Sequence, residues 1–260
     1  MYQLNKTSNL ITLSAETPLA ELKRKLSKEG LYFGYHPLLE SDETLDYYLR
    51  QRIPNLYHFK FGSLSDLVSS MTFELKSGMH FHLKDAPRAA IGPDFNRLLV
   101  GTNGRFGRIH DVSLRLTALP ERIHCASVAI DSRELAQALI VSLIGLFIKP
   151  LFFKYFPHEN VPAGLRPPGH GTKSSSNALI VALSGMDEMV RVEEGVLQEH
   201  CERHGHNVKW LDITESRDLM NRSIFNNQSY EDISKQYREF LWPPFDSSHQ
   251  LMVEKKIFET

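Results

Sequence analysis

Cysteine is scarce: Cys125 and Cys201 are the two in 260 residues. They give neither a disulfide framework nor metal-ligand spacing, so a reducing, cytoplasmic compartment is expected. An excess of one charge is also missing. Thirty Lys and Arg balance 31 Asp and Glu, for a net charge of -1 with neutral His. Nucleic-acid binders usually carry a basic excess, so no nucleic-acid partner is expected. Long apolar runs are missing too. The most apolar stretch, residues 135–148, is shorter than the ~20 residues a bilayer-spanning helix needs, and Lys149 and Pro150 close it. It reads as a buried helix, and no transmembrane segment is expected. The opening "MYQLNKTSNLITL" lacks the basic-then-apolar pattern of a signal peptide. No internal repeat occurs.

What is present is a mixed pattern of strands and helices, at 42% hydrophobic residues. "LITLSA" alternates like a strand, and "TPLAELKRKLSKEG" reads as a helix. Its expected N-cap is Thr17, with Pro18 as first helical residue and Gly30 as the C-terminal stop. Leu19, Leu22 and Leu26 fall on one face. Val68 begins a strand that turns at "KSG" and returns through "MHFHL", a hairpin signal. "DVSLRLTAL" is a further strand with Val112, Leu114 and Leu116 on one face.

A second unit begins near Arg122. "HCASVAI" is a strand, and Asp131 with Glu134 is the expected capping box of the next helix. That helix is apolar all round, which exceeds what one packed face requires and favours association. "ALIVALSG" is a buried strand. The helix "MDEMVRVEEGVLQEHCERHG" should bury Met189, Val192, Val196, Leu197 and Cys201, and stop at Gly205. "NVKWLDI" is a last strand, and "SYEDISKQYREFLW" a last helix ended by Pro243 and Pro244. This order predicts a small antiparallel sheet with helices on one face.

The first unit ends in "RLLVGTNGRFGRIHDVSLRLTALPE", with Gly101, Gly104 and Gly107 evenly spaced. Glycines so placed allow positive φ or close approach of backbone to a ligand. The spacing differs from the dinucleotide fingerprint, whose first two glycines are separated by one residue. The surroundings are more specific. Gly92, Asp94, Leu98, Leu99, Val100, Gly101, Gly104, Gly107 and Ile109, followed by Leu114, Arg115, Leu116, Pro120 and Glu121, closely resemble a segment of the FAD-linked oxidases of the vanillyl-alcohol-oxidase (PCMH) type. The nearest group is the glycolate and D-lactate dehydrogenase subunits. Gly62, Asp66 and Gly78 extend the resemblance upstream.

The resemblance implies an α+β fold. A partial PCMH-type FAD-binding domain, residues 1–121, is followed by a smaller ferredoxin-like α+β cap domain, residues 122–260, with a flexible loop near 157–177. It implies FAD as cofactor, with Gly92, Gly101, Thr102, Gly104, Gly107 and Ile109 at the cofactor. It implies oxidoreductase chemistry in which flavin N5 takes a hydride from a small 2-hydroxy acid.

Two departures stand beside it. A family member carries an N-terminal subdomain whose glycine-rich loop holds the FAD pyrophosphate, and residues 1–43 offer only Gly30 and Gly34. The family's Thr-Ile-Gly-Gly run corresponds to Thr44, Leu45, Asp46 and Tyr47, with Arg52 for a later Asn and Asn55 for a later Gly. These residues suit a helix or a filled cavity better than a cofactor floor. The expectation is therefore a degenerate flavin site in an accessory subunit, partnered by a flavoprotein subunit or by itself as a homo-oligomer. An active flavoenzyme with unusual FAD contacts, a non-catalytic interaction protein, or a chain completed by another are the alternatives. Independent turnover is in question. The hydroxy-acid chemistry needs a base near N5 and cations for the carboxylate, and no residue matches such a motif.

The histidines complete the inventory. His200 and His204 lie four apart on a helix, a spacing that can hold zinc, but no acidic or cysteine ligand pattern completes it. His80 and His82 share one face of a strand, read as exposed. No metal site is expected. "RPPGHGTKSSS", where Thr172 separates Gly171 from Lys173, reads as a flexible loop rather than a phosphate loop.

Overall fold

The computed structural model describes residues 2–37, 42–83, 94–146, 148–167 and 177–221. Gly92, the expected helix at 229–242 and "GHGTKSSS" lie outside them. The chain divides into two compact units, Met1–Glu121 and Arg122–Thr260.

The first unit is built on a five-stranded antiparallel sheet. Its strands are β1 (Tyr2–Asn5), β2 (Leu10–Ser14), β4 (Val68–Leu75), β5 (His80–His82) and β6 (Gly107–Arg115), in the order β1-β2-β6-β4-β5. Helix α1 (Leu19–Lys28) buries Leu19, Leu22 and Leu26, the expected face. Its N-cap is Pro18 rather than Thr17, and no side chain caps it. Gly30 has φ +68° just past the C-cap, the left-handed position a glycine fits. A two-stranded ribbon of β3 (Leu31–Tyr32) and β7 (Thr117–Ala118) lies alongside.

Between β3 and β4 run three short helices: α2 (Leu45–Gln51), α3 (His58–Phe61) and α4 (Leu64–Leu67). Helix α2 follows from Thr44, whose hydroxyl accepts the Tyr47 N–H as an N-cap. Tyr48 and Leu49 are fully buried in a core shared with Tyr35, Val112 and Leu114. Asn55 is buried and bonded on all sides. Its amide donates to the carbonyls of Gly34 (2.9 Å) and Gly62 (2.8 Å), and its oxygen accepts from the N–H of His36 and of Tyr57. Helix α5 (Phe95–Leu99), capped by Asp94, leads into the glycine run. Its Arg97 pairs with Asp66, itself half of a capping box with Ser63.

The second unit has β8 (Arg122–Ile130), α6 (Arg133–Gly145), β9 (Phe152–Phe156), β10 (Asn177–Gly185), α7 (Asp187–Arg203), β11 (Val208–Trp210) and α8 (Ile213–Asn221). Its strand order β11-β8-β10-β9, all antiparallel, is the split βαβ arrangement of a ferredoxin-like fold. Ser132, not Asp131, caps α6 by accepting the Leu135 N–H. Helices α6 and α7 lie side by side, joined by Ser142 Oγ and His200 Nε2 at 2.8 Å.

The buried face of α7 is Val190, Leu197 and Cys201; Met189 and Val192, expected inside, are exposed. The helix is rotated because Arg122 on β8 draws the acids of that face inward. Its guanidinium reaches Asp187 at 3.1 Å and Glu194 at 3.0 Å. Part of the expected flexible loop is packed: Val161 and Leu165 are buried, and the Leu165 carbonyl accepts from Ser127 Oγ at 2.6 Å. Among the described residues no helix is long and apolar enough to cross a membrane.

Candidate functional site

The glycine run meets the end of α2. The Gly101 N–H donates to the Leu49 carbonyl at 2.8 Å, and the Asn103 N–H to the Arg50 carbonyl at 3.1 Å. The Gln51 amide donates to Asn103 Oδ1 at 3.1 Å. These bonds satisfy carbonyls that a helix end otherwise leaves open. Gly101, Asn103 and Gly104 all have positive φ (+85°, +50° and +71°), which bends the loop around the helix end. Arg52, the α2 C-cap, is itself left-handed at φ +50°.

The space beside Gly101 and Gly107 is filled by protein, while that beside Gly104 is not. A Cβ on Gly101 would stand 2.9 Å from Arg52 Cδ, and one on Gly104 would stand 3.7 Å from Arg50 Cδ. A Cβ on Gly107 would collide with the Glu74 carbonyl at 1.8 Å, so this glycine is required by the pairing of β4 with β6. Thr102 Oγ donates back to the Leu99 carbonyl at 2.8 Å, and Ile109 is buried in the core.

An open cleft of about 450 Å³ lies at this junction, lined by Glu16, Glu43, Asp46, Tyr47, Arg50 and Arg108 among others. Its charges are largely matched within the protein. Arg108 reaches Glu16 at 2.8 Å, and Arg50 Nε lies 2.7 Å from Asp46 Oδ2 in a charge contact whose angle falls short of a hydrogen bond. Asp46 is buried, and its Oδ1 has no hydrogen-bond partner among the described residues. Burial pushes its carboxyl above the usual range, against the pull of Arg50.

Sequence comparison connects the chain to known proteins. The chain is 28% identical over 100 residues to alkyldihydroxyacetonephosphate synthase of Caenorhabditis elegans, covering 38% of this chain and 17% of that protein. It is 24% identical over 105 residues to the uncharacterized FAD-linked oxidoreductase YgcU of Escherichia coli, covering 40% of this chain and 22% of the relative. It is 25% identical over 134 residues to the mitochondrial D-lactate dehydrogenase [cytochrome] 1 of Saccharomyces cerevisiae, covering 51% and 22%. The chain is a homologue of the FAD-linked oxidases.

No family profile matches it. Solved structures of alkyldihydroxyacetonephosphate synthase share the fold, with TM-scores of 0.71 and 0.72 at 12% and 14% identity. They cover 86% of this chain and 44% and 43% of theirs. The matches thus span about a fifth of the curated relatives and under half of the solved chains.

FAD is the cofactor this homology implies. Two loop N–H groups that could hold an anionic cofactor are bonded to α2. The Cβ-sized space at Gly101 is occupied by the Arg52 side chain, whereas Arg50 lies at ordinary contact distance from Gly104. The cleft sets the carboxylates of Glu16, Glu43 and Asp46 beside the cations Arg50 and Arg108. Tyr47 stands in the same cleft with its ring edge-on to Tyr48 at 5.5 Å. No chemical step through FAD is assigned to these residues.

The two cysteines supply no nucleophile. Both are buried, which pushes each thiol up to about 12. His204 Nδ1 lies 2.8 Å from the His200 carbonyl, so this ring is turned to its own helix end. His80 and His82 are exposed, as expected. Among the described residues one group of three His, Cys, Asp or Glu side chains converges its ligand atoms: Glu74, His80 and His110. The sequence reading missed Glu74 and His110. The hairpin turn "KSG" already fixed Glu74 opposite His80; the position of His110 depended on an irregularity in β4–β6 pairing that no motif announces.

Proposed function

We propose that this chain is a non-catalytic homologue of 2-hydroxy-acid FAD-linked oxidoreductases, acting as an accessory subunit in association with a complete flavoprotein. The observation carrying this reading is the closure of α2 onto the glycine run: the Gly101 N–H is bonded to the Leu49 carbonyl, and Arg52 fills the space beside Gly101. The cofactor-facing role of Gly101, Thr102, Gly104, Gly107 and Ile109 has passed to packing. Association is supported by large apolar side chains exposed on two helices of the second unit, Leu135, Val141 and Leu146 near α6 and Met189 and Val192 on α7.

Purification with an absorbance spectrum tests the flavin half. The protein should be colourless and bind added FAD weakly. A yellow preparation with stoichiometric FAD would overturn the reading in favour of an active flavoenzyme with unusual contacts. Asp46→Gly with Tyr47→Gly separates causes: if obstruction dominates, FAD affinity rises, and each ~1.4 kcal/mol regained is tenfold. Recovery of a flavoprotein with the full chain from its native cells tests the subunit half, and a free monomer at micromolar concentration opposes it.

A further inference from the structure

The sheet of the first unit carries a second cluster, separate from the flavin reading and independent of it. Glu74 on β4 faces His80 across the β4–β5 hairpin, where the two are register partners. On the other side of β4, the ladder with β6 shifts between Thr72 and Phe73: Phe73 pairs with Ile109, and Thr72 with Asp111. His110 is the extra residue of this bulge, and bulges commonly re-aim a side chain. Here the imidazole is brought to Glu74, with Nε2 at 2.8 Å from Oε2. His80 Nε2 lies 3.7 Å from the other carboxylate oxygen, Oε1. One ligand atom from each residue falls within 4.8 Å of the others.

We propose that Glu74, His80 and His110 form a binding site for a divalent transition metal of the Zn²⁺ class, with two imidazoles and one carboxylate as protein ligands and a position open to solvent. Metal–ligand bonds of 2.0–2.2 Å in tetrahedral geometry set ligand atoms about 3.3 Å apart. The two His–Glu separations, 2.8 and 3.7 Å, stand on either side of that value. His80 has the most exposed side chain of the three and is free to close the remaining gap. Imidazole with carboxylate suits Zn²⁺, Ni²⁺ and Cu²⁺ rather than Ca²⁺ or Mg²⁺.

Three adjacent strands hold the ligands, so little backbone order is lost on binding. Glu74 is already held below the usual carboxylate range by its hydrogen bond with His110, and offers its charged form. Arg108, two residues before His110 on β6, is paired with Glu16 at 2.8 Å. His82 faces Thr72 at 3.1 Å and lies outside the cluster.

The test is titration of chelator-treated full-length protein with ZnCl₂, followed by calorimetry and by histidine side-chain NMR. One saturable equivalent is expected, perturbing the His80 and His110 rings. His80→Ala and Glu74→Gln should each weaken binding at least about tenfold, while His82→Ala leaves it unchanged. His80 is exposed, so its variant keeps the fold, which circular dichroism checks. His200→Ala with His204→Ala controls for zinc on α7. The proposal is overturned if the wild type shows no saturable binding, if His80→Ala and Glu74→Gln bind as tightly as wild type, or if only the α7 variant loses the metal.

Discussion

The Gly101 N–H donates to the Leu49 carbonyl across 2.8 Å. Through this bond the barest stretch of the chain closes onto the end of α2, and a loop shaped for close approach is used on a helix terminus. Local hydrogen bonding here competes with ligand binding for the same donors.

The three glycines of the run should respond to alanine in a fixed order. Gly107→Ala drives a Cβ into the Glu74 carbonyl at 1.8 Å, and backbone cannot step aside without breaking the β4–β6 ladder. It should cost more than about 3 kcal/mol or prevent folding. Gly101→Ala meets Arg52 at 2.9 Å and a φ of +85°, and should cost about 2 kcal/mol. Gly104→Ala meets nothing nearer than 3.6 Å and bears only its positive φ, about 1 kcal/mol. Urea unfolding of the three variants gives the order directly. Equal costs would show that the contacts described here do not set it.

Much of this arrangement was legible beforehand, and its limits have physical causes. Strand alternation in "LITLSA" and "DVSLRLTAL" placed β2 and β6, because one face of each is buried. Asp46 and Tyr47 in place of a glycine pair suit a helix or a filled cavity better than a cofactor floor, and they lie on α2. The direction of the glycine-run N–H groups was not legible, since it depends on which carbonyls a distant segment leaves open. Nor was the face of α7. Met189 and Val192 fit an apolar stripe as well as Val190 does, and the choice was made by Arg122 on another strand attracting Asp187 and Glu194. His110 escaped because a bulge resets the two-residue period from which its face would be inferred.

Asp46 gives a pH signature. Its folded-state carboxyl lies above the ordinary 3.8, chiefly through burial. Over the window from 3.8 up to that raised value the native state binds more protons than the unfolded state. Stability conferred by the protonated form is therefore lost as pH rises through the window. Asp46→Asn abolishes this titration, so it should be neutral or stabilising at pH 7 and comparatively less favourable near pH 4. Thermal unfolding at the two pH values decides. A loss of more than about 1 kcal/mol at pH 7 would show that the contact with Arg50 outweighs burial.

The exposed apolar side chains of the second unit separate interface from core. Val141→Lys and Val192→Lys alter residues 47% and 67% exposed, so both variants should fold with melting temperatures near wild type. Leu143→Lys, at a fully buried position on the same helix as Val141, should not. If α6 and α7 carry an association surface, Val141→Lys and Val192→Lys shift the sedimentation profile toward monomer. An unchanged profile would place the surface elsewhere or remove it.

Lys154 is the clearest case of a charge held inside the fold at a cost. It lies on β9 opposite Ile180, is 7% exposed, and burial lowers its amine from 10.5 to about 8. Below pH 8 it is protonated both folded and unfolded, and the cost of burying the cation is fully present. Between about 8 and 10.5 the folded state gives up the proton while the unfolded state keeps it. The unfolded state then binds more protons, so stability rises with pH. Lys154→Met keeps a flexible stem of similar length without the charge. It should gain up to about 3 kcal/mol at pH 7, and the gain should shrink toward zero as pH passes 10. Guanidinium unfolding of both proteins at pH 7, 9 and 10.5 measures the difference. A gain that stays constant with pH would mean that packing, not charge burial, separates the two side chains, and a loss at pH 7 would mean that the ammonium is stabilising where it lies.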